Sequence, residues 1–139
     1  MILLDTNVLI YASDRTSPFH KWAADLIVNA AAGGEGVCAN AVSLAEICVG
    51  DADPGSVASR IEAWGVVLVA VPAAAAVDCA AAYGKYRARR KAESGKDPPA
   101  LPLPDFFIGA LAQVMGWTIA TTDAARFKTY FPSVQIAHP

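Results

Sequence analysis

Charge is scarce in this chain. Asp, Glu, Lys and Arg make up 17% of its 139 residues, against roughly a quarter in an average soluble domain. Neither sign dominates, since 11 Lys and Arg face 13 Asp and Glu. With 55% hydrophobic residues, this composition excludes a disordered acidic or basic tail and requires a buried core. The missing basic excess also removes the simplest electrostatic route to a phosphate backbone. Cysteine is sparse: Cys38, Cys48 and Cys79 stand far apart in apolar surroundings with no C-x-x-C pair. That spacing disfavours a disulfide framework and a zinc site, and predicts buried small hydrophobes in a reducing compartment. Two histidines, His20 and His138, are too few for a His-rich transition-metal centre. The longest apolar run, Val66 to Val77, contains Pro72 and falls short of the ~18 residues that span a bilayer. Asp5 interrupts the apolar start, unlike a signal peptide. The expectation is a soluble cytoplasmic protein with one domain over residues 1–139.

What is present alternates between two periods. Met1 to Leu4 is a short apolar run that ends in Asp5-Thr6-Asn7, a cluster suited to a turn or helix cap. Val8 to Ala12 reads as a short helix or strand. Pro18 to Ala32 carries apolar residues at Phe19, Trp22, Ala23, Leu26, Ile27 and Ala30, the spacing of an amphipathic helix, with Gly33-Gly34 as its stop. A strand is expected at Val37–Ala39, a helix over Ala41–Val49 and another over Pro54–Trp64. Val66 to Val71 is β-branched and wholly apolar, the strongest strand pattern in the chain. Further helices are predicted over Ala73–Ala92, Pro104–Met115 and Ala124–Tyr130, with strands at Trp117–Thr121 and Val134–Ile136. Ser94 to Pro104 holds four prolines and one glycine, so it reads as a structured surface loop. Strands alternating with helices imply an α/β domain with a parallel sheet covered on both faces.

Four carboxylates stand in apolar company. Asp5 follows Met-Ile-Leu-Leu, Glu46 lies in Ala-Val-Ser-Leu-Ala-Glu-Ile-Cys-Val, Asp105 precedes Phe-Phe-Ile-Gly-Ala-Leu, and Asp123 follows Thr-Ile-Ala-Thr-Thr. Asp5 and Asp123 would emerge from strand ends at the carboxyl edge of a parallel sheet, where ligands of open α/β folds bind. Glu46 and Asp105 lie near helix starts that the same edge can face. Gathered in low dielectric, such groups raise one another's pKa unless a cation neutralises them. All-oxygen ligation suits Mg²⁺ or Mn²⁺ rather than zinc. Each acid also has a plainer reading: Asp5 and Asp123 as helix caps, Asp105 as a first-turn anion, Glu46 on an exposed helix face. Thr6, Asn7, Ser43, Thr121 and Thr122 lie within three residues of an acid and are candidates to orient a carboxylate or a metal-bound water.

In this pattern the chain resembles a PIN-domain ribonuclease, specifically a VapC-type toxin of a bacterial toxin–antitoxin pair. The resemblance runs from Met1 to about Ile136. It is carried by Ile2-Leu3-Leu4-Asp5-Thr6-Asn7-Val8-Leu9-Ile10, by Ser43-Leu44-Ala45-Glu46-Ile47, by Leu103-Pro104-Asp105-Phe106-Phe107-Ile108-Gly109-Ala110, and by Ala120-Thr121-Thr122-Asp123-Ala124-Ala125-Arg126-Phe127. Thr122 stands where Asn or Arg is frequent in the family, and the Pro-rich stretch is long. The resemblance implies a three-layer α/β/α PIN-like fold with a five-stranded parallel sheet. It implies a divalent-metal endoribonuclease, with Mg²⁺ or Mn²⁺ held by Asp5, Glu46, Asp105 and Asp123, that leaves a 5′-phosphate and a 3′-hydroxyl. It also implies a tRNA or rRNA substrate, restraint of translation and growth, a VapB-like antitoxin whose tail occupies the acidic groove, and a homodimer.

Six of the 11 basic residues fall in one stretch, Lys85, Arg87, Arg89, Arg90, Lys91 and Lys96. Lys85, Arg87, Arg89 and Arg90 are candidates to guide an RNA backbone, with Tyr83 and Tyr86 as stacking surfaces for unpaired bases; the alternative is a solvated helix end. Two rival functions compete. A receiver-type phosphoacceptor module needs a paired acid after the first strand, where this chain has Thr6-Asn7, and an acceptor Asp after the third, where it has Val71-Pro72. A catalytically idle RNA-binding domain would have no need of a complete acid set. With the four acids set aside as a site, 11 bases face nine remaining acids, so the mild overall acidity does not oppose an RNA partner.

Overall fold

The computed structural model describes residues 1–139. Its five strands are β1 (Ile2–Leu4), β2 (Val37–Asn40), β3 (Val66–Val69), β4 (Thr118–Ala120) and β5 (Ile136–Ala137). Seven helices connect them: α1 (Thr6–Ser13), α2 (His20–Ala32), α3 (Ala41–Gly50), α4 (Val57–Glu62), α5 (Ala75–Ser94), α6 (Pro104–Met115) and α7 (Ala124–Tyr130). All strand pairings are parallel, in the order β3-β2-β1-β4-β5. The first strand is therefore the central one.

Strand alternation builds a core on each face. Leu3, Cys38 and Ile119 point to one side and pack with Ala75, Cys79 and Tyr83 of α5, Phe106, Ile108 and Leu111 of α6, and Phe127 of α7. Their neighbours Leu4, Val37, Ala39 and Ala120 point to the other, against Val8 and Leu9 of α1, Ala23 and Ile27 of α2, and Val57 and Ile61 of α4. This is the expected three-layer α/β/α arrangement. Helix α6 begins with Pro104 at its first turn and ends at Gly116, whose φ of 67° places it in the left-handed region that glycine adopts without strain. Gly109 has a different reason to be glycine, because a Cβ there would lie 2.2 Å from Cε2 of Phe131.

Several boundaries differ from expectation for physical reasons. Val8–Ala12 is helical, inside α1. Pro54–Ser56 is a 3₁₀ turn leading into α4 rather than part of one helix. The strongest strand pattern, Val66 to Val71, proves to be a short edge strand with Val67 52% exposed. Its last pairing is Val69 with Asn40, and beyond Asn40 the chain turns into α3, so Ala70 and Val71 have no ladder partner. Strand β5 begins at Ile136 rather than Val134, because the N–H of Val134 is held by Phe131 O in the turn after α7. Cys38 and Cys79 are buried, while Cys48 is half-buried with its thiol donating to Pro54 O at 3.6 Å. No helix is long and apolar enough to cross a membrane.

Candidate functional site

The carboxyl edge of the sheet is polar where its three inner strands end. Leu3 pairs with Cys38 and Leu4 with Ala120, so Asn40, Asp5 and Thr121 stand side by side as β2, β1 and β4 run out. The backbone N–H of Asp5 donates to Ala120 O at 3.0 Å, which extends the ladder by one bond and fixes where the carboxyl group begins.

Asp5 occupies the N-cap position of α1, yet its side chain makes no capping hydrogen bond. Its Oδ2 instead accepts from Asn7 Nδ2 at 2.6 Å and from Thr121 Oγ1 at 2.7 Å. Asp123 likewise stands at the N-cap of α7 without capping it, and its own N–H donates to Thr121 Oγ1 at 2.9 Å. The cap reading fails for both residues. Thr121 is the hub: it is fully buried, donates to Asp5, and receives Asp123 and, at 3.4 Å, Asn7 Nδ2. Glu46 is tied to this group from α3, accepting from Thr6 Oγ1 at 2.6 Å. Asp105 sits in the first turn of α6 and accepts from Arg126 Nη1.

Burial pushes the Asp5 carboxyl up from an ordinary 3.8 to about 6. The Thr121 hydroxyl pulls it back, the charge of Asp105 raises it again, the Thr6 N–H lowers it, and the charge of Glu46 raises it. Asp5 therefore carries a charge that its surroundings penalise, with two further carboxylates close enough to add to the penalty. This donor set, oxygen only and in need of positive charge, fits a hard divalent cation. As they stand, the side chains make no group of three that could hold a metal ion. Arg126 pairs with Asp105 and lies with its Nε 3.7 Å from Asp123 Oδ2.

The remaining candidates divide. Thr6, Asn7 and Thr121 each bond to one of the acids. Thr122 contributes through its backbone, whose N–H donates to Asn7 Oδ1 at 3.4 Å. Ser43 gives its N–H to Asn40 Oδ1 at 2.9 Å, while its buried hydroxyl has no partner, so no hydrogen bond joins it to an acid. On α5, Lys85 and Arg90 are exposed, Arg89 pairs with Glu93, and Arg87 is half-buried. Tyr83 cannot stack on a base: it is 3% exposed and its hydroxyl donates to Pro99 O at 2.7 Å. Tyr86 is half-buried in an aromatic cluster with Tyr83, Phe106 and Tyr130. That cluster joins the basic helix to the base of α6, one residue from Asp105.

Two residues of this neighbourhood escaped the sequence reading. Asn40 is wholly buried level with Asp5, and its Nδ2 has no partner; its signal was an amide closing an apolar strand. Arg126 stands three residues after Asp123 within the fourth motif, and its signal was a base one helical turn from an acid.

The profile described as the PIN domain matches residues 2–131. No curated protein sequence matches the chain significantly. Among solved structures, the chain is similar to VapBC2 from Rickettsia felis bound to a DNA fragment from their promoter, with 18% identity, a TM-score of 0.62, and coverage of 99% of this chain and 98% of that one. It is similar to VapBC-1 from nontypeable Haemophilus influenzae, with 18% identity, a TM-score of 0.64, and coverage of 99% and 98%. It is also similar to FitAcB from Neisseria gonorrhoeae, with 24% identity, a TM-score of 0.55, and coverage of 98% and 96%.

Proposed function

Because this chain belongs to the PIN-domain family, we propose that it is a divalent-metal-dependent endoribonuclease, with residues 1–139 acting as one catalytic domain. The observation that carries the reading is the state of Asp5: a buried carboxyl at a strand end, held by Asn7 and Thr121, not spent on capping, and raised to about 6 with Asp105 and Glu46 contributing. A structural role gives no reason to keep such a group. Asp5 and Asp105 are the proposed direct ligands, and Glu46 and Asp123 ligate or orient the attacking water. Bound there, Mg²⁺ or Mn²⁺ supplies Lewis acidity toward the scissile phosphate and lowers the pKa of water. Thr121 holds the unshared face of Asp5 toward the site by occupying Oδ2, and Thr6 does the same for Glu46 through Oε2. Lys85, Arg87, Arg89 and Arg90 guide the RNA backbone.

The solved neighbours named for both members of a pair support a biological setting. In our reading the chain is the toxin of a VapBC-like system, present as a homodimer in the cytoplasm, restrained by a VapB-like antitoxin and acting on tRNA or rRNA to slow translation. Family membership leaves the receiver-type alternative without support. The test is incubation with total RNA in Mg²⁺, in Mn²⁺ and in chelator, beside the Asp5→Asn variant. Cleavage that needs the metal and disappears in the variant is expected; undiminished cleavage in chelator, or by the variant, refutes the assignment. No cleavage under any condition, with RNA still bound, selects the idle RNA-binding domain.

A further inference from the structure

Arg126 differs from the other paired bases of the chain. Lys21, Arg60, Arg89 and Lys91 each meet a single acid, Asp25, Asp51, Glu93 and Asp97. Arg126 instead reaches two acids of the site, Asp105 through Nη1 and Asp123 through Nε. Asp105 lies in the first turn of α6 and Asp123 just before α7, and Arg126 of α7 joins them. The pair with Asp105 is sheltered, with side-chain exposures of 37% and 25%, so solvent and salt screen it less than a surface pair. A guanidinium keeps its charge throughout the physiological pH range. The guanidinium therefore does not leave by losing its own charge; its release takes a competitor for the pair.

We propose that Arg126 is a built-in counter-cation that Asp105 and Asp123 exchange for the divalent metal, so that this one side chain sets the metal affinity of the site. The inference rests on the reading of the four acids as a metal site. While the guanidinium pairs with Asp105, it holds the carboxylate away from a metal-ligating position, and metal must pay for breaking that pair. The exchange offsets part of the acids' negative charge at low metal, and makes the site responsive to metal concentration rather than permanently loaded. Arg126 is thus a positioning residue acting through Asp105 and Asp123.

The test is calorimetric titration of the full chain with Mn²⁺ in the absence of RNA, comparing wild type, Arg126→Gln and Arg126→Lys. Removing a competing internal ligand strengthens binding by the coupling factor between them, typically ~5–150-fold, so Arg126→Gln is expected to bind Mn²⁺ roughly tenfold more tightly. Arg126→Lys, which keeps the charge but loses the fork that reaches both acids, should fall between wild type and Arg126→Gln. In chelator, Arg126→Gln should melt at a lower temperature than wild type, and added Mn²⁺ should abolish the difference. Unchanged or weaker Mn²⁺ binding by Arg126→Gln, with wild type binding normally, overturns the exchange alone and leaves the nuclease reading standing. Absence of Mn²⁺ uptake by all three proteins overturns both.

Discussion

Replacing Asp5 with Asn should disable the proposed nuclease and at the same time make the metal-free protein more stable. Burial raises the carboxyl group from 3.8 to about 6. For an acid whose folded pKa is raised, ionisation favours the unfolded chain, so stability is greatest at low pH and falls as pH rises from about 4 to about 6. Across that window the penalty grows to about 3 kcal/mol, and it is then constant at higher pH. Asn is nearly the same shape. Its amide oxygen can replace Oδ2 as acceptor for Asn7 and Thr121, and its NH₂ replaces the oxygen that Asp105 and Glu46 repel. The variant should therefore exceed wild type by up to about 3 kcal/mol at about pH 8, and by nothing below about pH 4. In a domain of this size that is an increase in Tm of roughly 10 °C. The assay is urea or thermal unfolding in chelator between those two pH values. Added Mg²⁺ should then raise the wild-type Tm and leave the variant unmoved, since only binding to the folded form stabilises. Parallel pH profiles for the two proteins, or a variant less stable at the alkaline end, would refute the account of Asp5.

Three other outcomes follow from separate contacts. Thr121→Val removes the donor that lowers Asp5; the acid limb of the pH–rate profile should move upward by roughly half to one pH unit, and an unmoved limb counts against Thr121 as the hub. Gly109→Ala places a methyl 2.2 Å from the Phe131 ring and should cost about 1–3 kcal/mol in urea unfolding, with wild-type stability excluding a rigid contact. Arg89→Ala/Arg90→Ala should weaken binding to single-stranded RNA and reduce the slope of log affinity against log salt by about 1.4; an unchanged slope removes these residues from the RNA path.

The fold was readable because its elements are marked twice, by apolar period and by punctuation. Helix α6 shows this best, with Pro104 opening it and Gly116 closing it at the predicted residues. The strength of the Val66–Val71 pattern misled because an apolar run records affinity for a strand, not a position within the sheet. Its neighbours decide that, and only β2 pairs with it. The acids stood out locally because carboxylates are costly in apolar company. What their separate motifs could not carry was their mutual geometry: which hydroxyl held which carboxyl, that Tyr83 turned inward to Pro99, or that Arg126 would reach two acids at once. Those facts depend on how elements separated in sequence meet, and no local period encodes them.

The central place of β1 has a consequence for synthesis. Its flanking partners are β2 and β4, and β4 with Thr121 comes more than 100 residues after Asp5. The Asp5 carboxyl thus cannot be walled in until the second half of the chain has been made. Such distant pairing also makes closure of the sheet a late and slow event. The proposed nuclease site is consequently incomplete until Thr121 has been made. The antitoxin proposed above would have that interval in which to be ready.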